Sequence, residues 1–380
     1  MTNTLSARAV ALRRPKPHVD YALTVALVLL GVFGAFMSYS TTRVALVNAG
    51  YNPHYYLERQ GTFVLVGIIA MTIIAHIDYR RLEVLATPLY IGSFLALGGV
   101  YVVGQRALGA QRWYSFGPLT IQPSEFTVLF IILAVATFCQ RRSEGLRMYD
   151  VVRLLIMAGA PLGLIVLQPD LGTSIIIVLV VAAMMVVAGI PPRFMTFLSI
   201  VGSMGLAASI YLDLLKKYQI DRFISFVNQN SNNPAISALL YEVHNAKSAI
   251  GAGGLYGAGF FQGLQTVLGF VPEQRTDFIF TAIGEQLGFV GASSVILLLA
   301  FIAWRMWVIG RHAKDMMGRL LCIGIFIFFS FSSFENIGMT MGIMPVTGIP
   351  LPLLSYGGSA ALVFYSAGGL VLSVSRRLGA

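Results

Sequence analysis

The sequence predicts an all-α polytopic membrane protein of about ten transmembrane helices, with both termini cytoplasmic and one long extracytoplasmic loop. Three observations predict it. Only 11% of the 380 residues are charged, against about 25% in a soluble domain. Hydrophobic residues make up 57%, and the mean hydropathy is +0.77. Apolar runs of the ~20 residues that cross a bilayer recur along the chain. Together these exclude a soluble enzyme, a disordered chain and a protein with a single anchor. They also make nucleic acid a poor partner, because the net charge of +10 has a membrane explanation.

The expected spans are 21–40, 61–77, 84–104, 123–140, 151–167, 171–189, 195–215, 286–304, 320–341 and 356–374. The first follows a basic stretch, Arg8 to Lys16, and is too long for a signal-peptide core. Gln168-Pro169-Asp170 is a tight turn between the fifth and sixth. Several spans are short or contain Gly or Pro, which packing inside a bundle tolerates. The whole chain, 1–380, reads as one membrane domain, with tails at 1–20 and 375–380 and the long loop at 216–276. Cys139 and Cys322 lie in apolar runs without a CxxC partner, and the five histidines are scattered. Neither residue type suggests a metal site.

With the N-terminus inside, sixteen Lys and Arg fall in cytoplasmic segments and nine in outer ones, and Arg153 sits at a span edge. Five of those nine lie in 216–276, and charge in long loops bears little on orientation. The remaining contrast is sixteen to four. This fits residence in the bacterial cytoplasmic (inner) membrane, with a working face outside.

The outer face carries the polar groups that suggest chemistry. Loops as long as 216–276 are usually functional or disordered. This one has amphipathic pieces (Lys216 to Tyr218, Phe223 to Val227), a polar turn at 228–234 and a glycine block from Lys247 to Gly259. The plainer reading of the glycines is packing of a re-entrant segment. The loop ends at Thr276-Asp277, at the outer mouth of the eighth span. Thr281 and Glu285 follow at spacings of four and eight, on the same half of a helix. Thr276 or Asp277 suits a helix N-cap, whereas an acid at the membrane boundary is costly and so suggests function. Glu58 and Arg59 precede the second span; an exposed pair is the plain reading there. Arg112, Gln122, Glu125 and Asp170, together with 344–359 before the last span, converge on the same face. They suggest a cavity for a polar, anionic headgroup.

These residues fall in six ordered blocks: Gly109-Ala-Gln-Arg112-Trp113; Gln122-Pro-Ser-Glu125; Gln168-Pro-Asp170-Leu-Gly-Thr173; Lys247 with Ala249-Ile-Gly-Ala-Gly253-Gly254; Pro272-Glu273 with Thr276-Asp277-Phe278; and Asn336 through Leu351-Pro352-Leu-Leu-Ser355-Tyr-Gly357-Gly358-Ser359. The sequence resembles the SEDS family of membrane-embedded peptidoglycan glycosyltransferases over nearly its whole length. Gly348-Ile-Pro350-Leu-Pro352 looks more like the elongation-type RodA than the division-type FtsW. The resemblance implies polymerisation of lipid II into β-1,4 glycan strands with release of undecaprenyl diphosphate. It implies Asp277 as the base that takes the acceptor hydroxyl's proton. Arg59, Arg112 and Lys247 are candidates for the leaving diphosphate, with Glu125, Asp170, Ser355, Gly357 and Gly358 lining the site. Glu58, Gln122, Thr276 and Glu285 are supporting residues. It further implies a class B penicillin-binding protein as transpeptidase partner, other elongation-complex membrane proteins, and Mg²⁺ or Mn²⁺ accompanying the diphosphate.

The chain departs from the family pattern at four positions. Val128 stands where Lys usually follows the Glu of the QPSE block, and Thr120 where a basic residue usually precedes it. Asn245 replaces a usual Gln, and Glu335 a usual apolar residue. Val128 and Thr120 motivate an alternative reading as a catalytically silent scaffold. Composition alone also fits a lipid flippase or transporter, although the halves show no inverted repeat.

Overall fold

The structure is a computed structural model. It describes residues 19–107, 110–117, 119–142, 146–211, 217–229 and 236–378. The basic tail Arg8 to Lys16, Gly109, Lys216 and most of the polar turn at 228–234 lie outside the described residues.

Ten apolar helices follow the expected order: α1 (Tyr21–Asn48), α2 (Tyr55–His76), α3 (Leu82–Val103), α4 (Pro123–Gln140), α5 (Met148–Leu167), α6 (Leu171–Val187), α7 (Pro192–Tyr211), then after the long loop α11 (Ile279–His312), α12 (Met316–Met341) and α13 (Gly358–Ser375). Among the described residues, eight of them are long and apolar enough to cross a membrane; α6 is shorter, and α7 is not among the eight. The chain is a multi-pass membrane protein.

The long loop is mostly helical, with α8 (Lys217–Val227), α9 (Ser237–Ala252) and the short α10 (Leu264–Leu268). The all-α expectation also misses a small antiparallel meander, β1 (Gln105–Ala107), β2 (Ala110–Phe116) and β3 (Leu119–Ile121). Its register pairs Gln105 with Trp113 and Tyr114 with Ile121. Aromatic and β-branched residues here suit a half-buried pleated surface.

Aspartate side chains cap three of the helices. Asp20 accepts from Leu23 N at 3.0 Å, Asp170 from Thr173 N at 3.2 Å and Asp315 from Gly318 N at 2.7 Å. Each satisfies an orphan N–H of a first turn. Two of these aspartates also carry ion pairs, Arg305 with Asp20 and Arg80 with Asp315, and Arg377 pairs with Asp78. The start of α1, the α2–α3 and α11–α12 turns and the end of α13 therefore share one end of the bundle. This is the geometry expected for termini on one side.

The apolar core runs through α4, α12 and α13, and buried polar side chains such as Thr127, Ser332 and Asn336 lie among it. Close approach there depends on small residues: a Cβ on Gly67 of α2 would lie 2.3 Å from the Tyr365 ring of α13. This is how membrane helices pack without a hydrophobic drive between them.

The eighth expected span needs correction. Its helix begins at Ile279 rather than 286, and Gly288, with φ 65° and ψ −165°, breaks it. The freed backbone groups find partners in the glycine block. Ala258 and Gly259 N–H donate to the carbonyls of Glu285 and Gln286, and Phe289 and Val290 N–H to those of Gly254 and Leu255. The glycines are thus the re-entrant packing that the plainer reading expected, and they supply what broken backbone requires at membrane depth.

Candidate active site at the outer end of the bundle

Asp277 precedes α11 by two residues. The helix N-cap is Phe278, without a side-chain cap, which corrects the expectation that Thr276 or Asp277 caps it. The loop bearing Asp277 is tethered from three sides. Asn336 of α12 donates from Nδ2 to the carbonyls of Asp277 (2.7 Å) and Ile349 (2.8 Å). Ser355 Oγ donates to the Thr276 carbonyl and accepts from Leu351 N at 2.8 Å. Tyr356 N donates to the Arg275 carbonyl at 2.9 Å. Glu273 holds a positive φ of 46°, so the approach to Asp277 is a strained turn.

The carboxylate faces Gly348. A Cβ placed on Gly348, whose φ is 78°, would sit 3.3 Å from Asp277 Oδ2. Burial, and then the negative charges of Glu273 and Glu242, push the Asp277 pKa up to about 6; the Arg222 guanidinium opposes them. Glu242 is raised as well, first by burial. Arg222 Nη1 donates to the Thr347 carbonyl at 3.1 Å, and the Thr347 hydroxyl donates to Glu335 Oε1 at 2.7 Å. One strap, Thr347 to Ile349, therefore connects Arg222, Glu335, Asn336 and Asp277. Sequence reasoning missed Arg222. It lies in an amphipathic stretch of the long loop, and no local spacing ties it to Asp277.

A second polar group sits below the meander. Asp170 accepts from Gln122 Nε2 (3.1 Å), Ser124 Oγ (3.0 Å) and Thr173 Oγ1 (2.9 Å). Strand β2 carries Arg112 to the Gln168 and Pro169 carbonyls, at the C-terminal end of α5, where a cation is favoured. A cavity of about 60 Å³ adjoins them, lined by Arg112, Gln122, Glu125, Val128, Asp170 and Gly348. Glu125 Oε2 is buried there without a hydrogen-bond partner. Gly348 lines this cavity on one side and faces Asp277 on the other, so the two polar groups adjoin.

Arg59 donates to the Tyr55 hydroxyl at 2.6 Å and lies over its ring; Glu58 is exposed. Gln60 anchors the 355–357 turn, donating to the Ser355 carbonyl and accepting from Gly357 N. Gly358 abuts Phe63 of α2. Lys247 reaches Gln229 Oε1 beside Gly342, at the C-terminal end of α12. Asn245 donates to the Phe270 carbonyl at 2.8 Å.

Glu285, expected beside Asp277, instead turns to the start of α10. It accepts from Gln265 N (2.6 Å), Thr266 N (3.0 Å) and Thr266 Oγ1 (2.6 Å). It staples the short helix and is linked to Asp277's loop through Thr266 and Gln274. Among the described residues, no group of three or more His, Cys, Asp or Glu is arranged to hold a metal ion.

The model of the FtsW/RodA/SpoVE family, described as cell cycle protein, matches residues 21–379. The chain belongs to this family. It is 31% identical over 378 residues to the probable peptidoglycan glycosyltransferase FtsW of Trichlorobacter lovleyi, covering 97% of this chain and 96% of the relative. It is 32% identical over 360 residues to the peptidoglycan glycosyltransferase MrdB, the RodA type, of Escherichia coli K12, covering 94% of each. The fold matches, with a TM-score of 0.78 and 28% identity, a chain of a peptidoglycan synthase complex that coordinates polymerisation and crosslinking. That match covers 95% of this chain and 98% of the other. The blocks recognised in the sequence therefore belong to a membrane glycosyltransferase family, and the flippase reading is not favoured.

Proposed function

We propose that this peptidoglycan glycosyltransferase polymerises lipid II, with Asp277 as its base. The 4-hydroxyl of one GlcNAc attacks C1 of a MurNAc. The new bond is β-1,4, undecaprenyl diphosphate leaves, and the hydroxyl proton passes to the Asp277 carboxylate. The observation that carries this reading is the placement of Asp277: a recessed carboxylate, raised to about 6, on a loop tethered from α12 and the 351–356 turn. A base with that pKa is ~90% ionised at pH 7, yet holds a proton better than an ordinary Asp. The tethers fix its backbone, and preorganisation of this kind lowers the cost of reaching the reacting geometry.

The Arg222 guanidinium is the cation that acts on Asp277. It is better placed for charge developing there than Arg112 and Lys247, which are held at the ends of α5 and α12. We keep Mg²⁺ or Mn²⁺ as a proposed companion of the diphosphate, since Mg²⁺ is typically held by few carboxylates plus phosphates. The described residues offer no protein-only cage for it, and no step here runs through it.

An apolar groove of about 1160 Å³ runs along α5, α6, α7 and α12 and includes Phe334, two residues from Asn336. Its volume and lining suit a polyprenyl tail. The Gly348 to Pro352 segment supports an elongation-type role, and the match to a synthase complex supports a class B penicillin-binding protein as partner. The working face is the outer leaflet of the bacterial cytoplasmic membrane, as the basic-residue asymmetry indicates.

The test is polymerisation of labelled lipid II by the purified protein with its cognate transpeptidase. Glycan strands are expected; labelled lipid crossing liposomes without glycan would favour a transporter. Rescue of an elongation-depleted but not a division-depleted strain is expected for the RodA-type assignment, and the reverse would overturn it.

A further inference from the structure

Beside Asp277 stands a group of side chains that the proton transfer does not use. Tyr55 and Tyr56 meet edge to face, with centroids 5.1 Å apart. Tyr56 meets Tyr356 in the same way at 5.0 Å, and Phe63 backs Tyr356 at 6.3 Å. Two guanidiniums lie on these rings: Arg59 Cζ is 4.8 Å from the Tyr55 centroid, and Arg275 Cζ is 4.9 Å from that of Tyr56. The group is joined to the catalytic loop through backbone. Tyr356 N–H holds the Arg275 carbonyl, and Ser355 holds that of Thr276. Tyr55 is 42% exposed, so the platform is open at one side.

Tyrosines at a membrane boundary usually serve as interfacial anchors with their rings among lipid headgroups. Tyr51, 70% exposed, fits that role. The other three do not, because their rings pack on one another and on arginines. A pyranose matches such a surface: its C–H face lies on an aromatic ring, and its hydroxyl and acetamido edges meet phenol and guanidinium groups. A guanidinium stacked on a ring keeps in-plane N–H groups for an edge-on acceptor, here the sugar's hydroxyl and acetamido oxygens.

We propose that Tyr55, Tyr56 and Tyr356, with Arg59 and Arg275, form a sugar-binding platform that holds the growing glycan strand next to Asp277. This rests on the lipid II reading above. Binding energy from sugars remote from the reacting carbon would keep the strand in place between couplings, which is where such energy is useful.

The experiment measures, with fluorescent lipid II, the rate of strand extension divided by the rate of the first coupling. Tyr56→Leu is expected to lower this ratio roughly 3- to 10-fold, the range for losing one ring stack. Tyr56→Phe keeps the ring and is expected to restore it, while Tyr51→Leu leaves it at the wild-type value. An unchanged ratio in Tyr56→Leu overturns the platform, as does a Tyr56→Phe variant equally impaired. Impairment of the first coupling as large as that of extension would assign the group to the diphosphate instead. Saturation-transfer NMR with triacetylchitotriose reads the platform separately from catalysis. Transfer lost in Tyr56→Leu supports it, and no transfer to wild type contradicts it. If wild type makes no glycan, the polymerase reading fails, and the NMR result alone decides whether a sugar site remains.

Discussion

The acid limb of the rate profile follows from the surroundings of Asp277. A carboxylate must be ionised to accept the hydroxyl proton, so the rate falls as pH drops through its pKa. With that pKa at about 6, the rate at pH 5 is expected to be ~10% of its plateau, and half of the plateau near pH 6. An ordinary Asp would leave ~90% at pH 5. Two substitutions should move the limb in opposite directions. Glu273→Gln removes a negative charge that raises Asp277, so the midpoint moves to lower pH. Arg222→Gln removes the positive charge that opposes the rise, so the midpoint moves to higher pH. The assay is the initial rate of labelled lipid II consumption from pH 4.5 to 8, with folding at each pH checked by size-exclusion profile. A rate at pH 5 above half the plateau would refute the reasoning. So would shifts of the two variants in the same direction.

Asn336→Ala leaves the carbonyls of Asp277 and Ile349 without their donor. It should cost roughly 1–3 kcal/mol, read as a lower melting temperature in detergent together with a reduced rate. Gly348→Ala places a methyl at a φ of 78° and 3.3 Å from Asp277 Oδ2. The left-handed conformation alone costs about 1–2 kcal/mol, and the rate should fall by at least about tenfold while the protein still purifies as a folded monodisperse species. Gly257→Ala, with φ 81° and a Cβ 2.2 Å from the Gln286 carbonyl oxygen, should unseat the glycine block from the break at Gly288. The expected loss is about 2 kcal/mol or more, and a wild-type melting temperature would contradict that packing.

Eight of the ten expected spans were legible because a bilayer imposes one crude requirement, an apolar run of adequate length, and the ends of α4, α5, α12 and α13 fall within a few residues of their expected positions. The eighth helix was harder to place. Gly288 is no stronger a helix-breaking signal than other glycines in the chain, and what permits the break is backbone from 254–259, thirty residues earlier. The meander at 105–121 is short and isolated, too small to show a strand period. At the site, Asp277 stood out because an acid at a membrane boundary is costly. Arg222, Glu335 and the Thr347 strap reach it only through tertiary contacts. Glu285 shows the opposite error. Its helical spacing from Asp277 suggested a shared face, but Asp277 is not in the helix, and three donors at α10 claim the Glu285 carboxylate.

The account stands or falls on the carboxylate of Asp277. The most direct measurement is the rate of glycan strand formation from labelled lipid II by Asp277→Asn against wild type, each with the cognate transpeptidase. Asn keeps the side-chain shape and the backbone carbonyl that Asn336 holds, but cannot accept the proton. The account predicts a loss of at least about 100-fold, in the range typical of a general base. Equal strands from both proteins would contradict it.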